Sequence, residues 1–119
     1  MNLPDEQLKF QQFKKMSHSL SRHNKIPLEK QLEHITQDLK YYTTKIIENC
    51  KTHNDAELEK TIEKVIKLFA KRTAIQIAQD RESFGSASDD MIEDEINSYG
   101  IACARFLDTV DAMNHLATS

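Results

Sequence analysis

LEKTIEKVIKLFAKRTAIQIAQDRESF, residues 58–84, is the stretch whose reading decides the fold. Its first half carries an apolar line, Leu58, Ile62, Val65 and Phe69, at the three- and four-residue steps of one helix face. Carried on at the same spacing, the line meets Arg72, Gln76 and Asp80. A helix that begins as core and continues polar on one face has two readings. In the first, Arg72, Gln76 and Asp80 form a polar seam or pocket, since residues at i and i+4 share a face and can hydrogen-bond in series. In the second, the helix drifts against the apolar pattern, which moves Ile75 and Ile77 inward and turns Arg72 out. We favour the drift.

Just upstream, Lys51-Thr52-His53-Asn54 is a short break, and Asn54 with Glu57 makes a candidate capping box. Before it runs the cleanest pattern in the chain. Leu28, Leu32, Ile35, Leu39, Tyr42, Ile46 and Cys50 keep to one narrow stripe, with Pro27 placed at a first helical position. So short a break folds the next helix back antiparallel. Downstream, Gly85 stands where a left-handed C-terminal cap belongs, and Ser86 or Ser88 offers the next N-cap. Ile92, Ile96, Tyr99, Cys103, Phe106, Val110, Met113 and Ala117 then step alternately by four and three. Gly100 lies inside that run, at a cost of about 1 kcal/mol relative to Ala unless a neighbour approaches closely. At the front, Asn2-Leu3-Pro4-Asp5 reads as a helix start. Phe10, Phe13, Met16 and Leu20 give a narrow apolar face ending near Ser21, and Arg22-His23-Asn24-Lys25 reads as a connector.

There is no β pattern and no internal repeat. The fold class is therefore all-α: a single-domain, up-down-up-down antiparallel four-helix bundle over residues 1–119, with a short first helix. That helix is expected against the N-terminal half of the second. The opposite end then lacks a fourth wall, which would leave Ile46, Ile47, Leu58, Ile62, Ile66, Val110, Met113 and Leu116 partly open. Exposed apolar patches of that kind mark association surfaces, here for a partner protein or for a second copy in a homodimer.

Composition agrees with a water-facing helical domain. Of 119 residues 39% are apolar and 29% charged, with only two Gly and two Pro, which excludes loop-rich β and low-complexity classes. The net charge of −3 divides unevenly, +3 over residues 1–30 and −6 over residues 86–119. We read that gradient first as pairing between the ends of the fold. The opening MNLPDEQLKF lacks the apolar core of a signal peptide, and no apolar run suits a membrane span. A cytoplasmic setting is expected, with Cys50 and Cys103 as free thiols and no membrane partner.

Candidate chemistry is thin. A di-metal carboxylate bundle needs Glu-x-x-His pairs, and none of His18, His23, His34, His53 and His115 has Glu three residues before it. His18 and His34 lack the Lys-Gly neighbourhood of a phosphotransfer histidine. Cys103 falls on an apolar stripe, and Cys50 at a helix C-terminus, the wrong end of the dipole for an activated thiol. No catalytic, cofactor-binding or metal-binding residue is assigned, and no enzymatic activity is expected. Lys60, Lys64, Lys67 and Lys71 form a stripe opposite the apolar face of residues 58–69, joined by Lys9, Lys14, Lys15, Arg22 and Lys25. Four lysines in register suit phosphates. Glu57, Glu59 and Glu63 interleave with them, and Glu63 with Lys67 makes an ordinary i,i+4 pair. The leading expectation is a non-catalytic protein that acts by binding another protein, as adaptors, chaperones, immunity proteins or regulatory subunits do. The alternative is a nucleic-acid-associated accessory protein using the lysine stripe.

Overall fold

The computed structural model describes residues 5–23 and 26–118, with four helices and no strand among them. Helix α1 spans Asp5–His23, α2 Leu28–Lys51, α3 Asp55–Phe84 and α4 Asp89–Thr118. The expected start over residues 2–4 and the connector residues 24 and 25 lie outside the described residues. Arg22 and His23, read as connector, belong to α1, which ends two residues later than Ser21.

Pro27 is shifted by one position from its expected place. It is the N-cap of α2, in an extended conformation (φ −55°, ψ 145°), and its carbonyl accepts the first helical bond from the Gln31 N–H at 3.1 Å. The Gln31 side chain folds back and donates to the Ile26 carbonyl at 2.9 Å, bracing this turn.

At the far end of α2, His53 takes up a left-handed conformation (φ 56°). The Asn54 N–H then reaches the Asn49 carbonyl at 3.0 Å and the His53 N–H the Cys50 carbonyl at 3.3 Å. These are the two bonds of a Schellman C-cap, and they satisfy carbonyls that the helix end would otherwise leave open. They also alter the expected capping box. The Asn54 side chain does accept from the Glu57 N–H at 3.4 Å. Its own N–H is already engaged, however, so Glu57 pairs with Lys60 at 3.7 Å instead of reaching back. Gly85 caps α3 in the left-handed region as expected (φ 79°). Of the two serine candidates it is Ser88 that caps α4, accepting from the Met91 N–H at 3.3 Å.

The four helices form a slab 51 × 37 × 20 Å, about two helix diameters thick. Helix α3 is its central element. Thr73, Ala74, Ile75, Ile77 and Ala78 are all buried, and at about 100° per residue they span roughly 200° of the circumference of α3, with half-buried Arg72, Gln76 and Asp80 on the rest. Small side chains at 73, 74 and 78 let three neighbours close around this half. Ile75 and Ala78 pack with Leu28 and Ile35 of α2 and with Leu20 of α1. On the other side, Ile77 packs with Phe13 of α1 and Ile92 of α4, and the Phe13 ring meets Tyr99 edge-on at 5.1 Å.

One expected contact is corrected. α1 rests mainly on α3 and α4 and touches α2 only weakly. The apolar face of α1 is narrow, and Phe10 and Phe13 commit it to the cleft between α3 and α4.

At the N-terminal half of α3 the core closes with three helices. Ile46, Cys50, Leu58, Val65 and Val110 are its buried members, with Phe69 and Phe106 edge to face at 5.7 Å. No residue of α1 enters this cluster.

Candidate site: a lysine-bearing groove between α2 and α3

Where α1 stops short, the side of α3 facing solvent is charged. Lys60, Lys64, Lys67 and Lys71 are exposed along it, interleaved with exposed Glu59 and Glu63. The lysines lie opposite the Leu58–Phe69 line because that line is committed to the three-helix core, and helical geometry sends the remaining positions outward. Three of them, Lys64, Lys67 and Lys71, join Leu68 on α3 and Asp38 and Tyr42 on α2 around an open groove of about 280 Å³. Lys64 Nζ sits 5.7 Å from the centre of the Tyr42 ring, within cation–π range. Tyr41, 58% exposed, meets Tyr42 edge-on at 5.2 Å and has Lys45 Nζ 5.7 Å from its own ring.

The expected Glu63–Lys67 pair does not form. Among the described residues no carboxylate lies within ion-pair distance of Lys64, Lys67 or Lys71, while Lys60 pairs with Glu57. The lining thus holds three lysines, the single carboxylate of Asp38, and the apolar Tyr42 and Leu68.

The eight apolar residues expected at an open end are placed differently from one another. Ile46, Leu58 and Val110 are buried at 1%, 7% and 3% exposure, because three helices suffice to close around them. Ile62, Ile66 and Met113 are half-buried. Ile47 at 39% and Leu116 at 73% remain exposed.

The polar seam is half-buried throughout, at Arg72, Gln76 and Asp80, while Ile75 and Ile77 are fully buried beside it. Its members do not bond in series. The Arg72 guanidinium lies 4.8 Å from the Phe69 ring centre, on its own helix, and takes no carboxylate partner among the described residues. Asp80 instead faces Glu95 on α4, whose protonated carboxyl can donate a hydrogen bond to it. Burial, then the charges of Asp80 and Asp94, then that bond push the Glu95 carboxyl above its ordinary value of 4.5.

Arg81, which the sequence reading passed over, is the better-anchored guanidinium. Its Nη2 donates to Ser17 Oγ at 2.8 Å, and Ser17, fully buried, donates to the Lys14 carbonyl at 2.7 Å. The other terminal nitrogen, Nη1, is buried without a hydrogen-bond partner. No periodicity in the sequence marks this contact, since Ser17 lies one step from the apolar stripe of α1.

Both cysteines are free thiols. Burial, with Asp55 nearby, pushes the Cys50 thiol up. Tyr99 is likewise raised, first by burial and then by the neighbouring Cys103. Among the described residues no group of three or more His, Cys, Asp or Glu could hold a metal ion, and no helix is long and apolar enough to cross a membrane.

Comparison with protein families, curated proteins and solved structures finds no match to this chain. The groove is accordingly read from its own chemistry.

Proposed function

We propose that this chain is a non-catalytic helical module that acts by binding another protein, and that its contact surface is the α2–α3 groove. One observation carries the reading: three lysines without carboxylate partners converge on the apolar floor of Tyr42 and Leu68, beside the stretch of α3 that α1 does not cover. Such a surface attracts acidic segments at long range and holds them through apolar contact at short range.

A second reading uses the same lysines for nucleic acid. The observation that favours it is exposed Tyr41 beside Tyr42, each with a lysine over its ring, an arrangement on which unpaired bases stack. The whole-chain charge of −3 opposes it.

In-cell photocrosslinking from a benzoylphenylalanine at position 42 or 68 separates the two. The protein reading expects protease-sensitive, nuclease-resistant adducts that disappear in the K64E/K67E/K71E variant. Nuclease-sensitive adducts would establish the second reading. Adducts unchanged by the triple reversal would remove the groove from both.

A further inference from the structure

We infer that the groove takes an acidic amphipathic helix of the partner protein, laid along the lysine row of α3. This rests on the protein-binding role proposed above and specifies the ligand.

The spacing of the lysines comes first. Residues 64, 67 and 71 advance by three and four, so their ammonium groups repeat along α3 at the rise of a helix face. A second helix packed alongside presents carboxylates at the same rise when Glu or Asp recur at three- and four-residue steps. An extended peptide, advancing at about twice that rise per residue, falls out of register within a few residues.

Size and floor agree. A groove of about 280 Å³ open to solvent admits side chains from a helix resting above it rather than a whole helix. Tyr42 and Leu68 form an apolar seat between the charges, suited to one Leu, Ile or Phe of the arriving helix, and the lysine stems extend it.

The available length is that of the lysine row: residues 64 to 71 advance about 10 Å along α3, two helical turns. Asp38 adds direction. Its carboxylate, on the α2 side, repels an acidic residue and favours a basic or apolar one there, so one orientation of the incoming helix is preferred.

The test uses the full chain and three fluorescein-labelled probes in anisotropy titrations. The first is a 14-residue peptide with Glu at positions 3, 6 and 10 and Leu at position 7. The second has the same composition, permuted to destroy that register. The third is 15-mer oligo(dT). The expected result is binding of the first about tenfold or more tighter than the second, weakened by salt and lost in K64E/K67E/K71E. Those lysines are exposed, so the variant should keep its helical circular dichroism. Y42A, read alongside, should weaken binding several-fold without altering the salt dependence.

Equal binding of both peptides would overturn the helix while leaving a protein-binding groove in place. Binding of oligo(dT) alone would overturn the helix and the protein role together. Failure of the first peptide to bind would overturn the inference. So would concentration-dependent self-association lost in the triple variant, which would make a second copy the occupant.

Discussion

At His53 the backbone adopts a conformation that suits few side chains. With φ at 56°, its Cβ crowds the neighbouring carbonyl, and the Schellman bonds from His53 and Asn54 hold it there. His53→Gly should therefore stabilise the fold by about 0.5–1 kcal/mol, read as a higher urea midpoint at unchanged slope. Gly100 presents the converse. No atom lies within 4 Å of where its Cβ would stand, so no neighbour inside the chain requires a glycine. Gly100→Ala should add up to about 1 kcal/mol through helix propensity alone. The carboxyl of Glu95 gives a pH dependence. Its folded-state value is raised, so its contribution to stability is full below the ordinary carboxyl range and is lost as pH rises through the raised value. Glu95→Gln should thus be more stable than the parent at pH 7, read as a higher urea midpoint. That advantage should shrink as the pH is lowered toward 4. An advantage that grows on acidification would contradict the Asp80–Glu95 pairing.

At the scale of elements, α3 organises the chain, though not through the line that first drew notice. Ala74, Ile75, Ile77 and Ala78 are fully buried because α1, α2 and α4 all close on this half. Ala78→Leu should overpack that centre and cost about 1–3 kcal/mol, visible as a lower melting temperature, whereas an exposed substitution such as Lys71→Gln should cost almost nothing. The four helices themselves were legible. Steps of three and four from Leu28 to Cys50 and from Ile92 to Ala117 leave only a helix, and Asn54, Gly85 and Ser88 mark ends by known hydrogen-bond needs. Lateral order was not. Nothing in Phe10 and Phe13 says which cleft they enter, so α1 was assigned to α2 when it belongs to α3 and α4. The polar line was legible as positions and misleading as surroundings. Whether Arg72 meets a carboxylate or an aromatic ring depends on a rotation of a few tens of degrees, which a repeat with imperfect period leaves open.

For the whole molecule, the consequence of a short α1 was anticipated at five of eight apolar positions, with Ile62, Ile66 and Met113 half-buried and Ile47 and Leu116 exposed, and not at the other three. A missing fourth wall was expected to open an apolar end. Three helices instead close around Ile46, Leu58 and Val110, and the uncovered face of α3 shows its lysines. The lysine stripe was legible from spacing alone. Its partnership with Tyr42 and Asp38 was not, because those residues lie on another helix and meet the lysines only through the register of α2 on α3. The central claim is that this groove, rather than the apolar end, is the contact surface. The most direct test is a 15N–1H NMR titration of the full chain with the acidic peptide whose Glu residues are in helical register. Saturable shifts concentrated at Asp38, Tyr42, Lys64, Lys67, Leu68 and Lys71 are predicted. Shifts concentrated at Ile47 and Leu116, with the groove unmoved, would contradict the account.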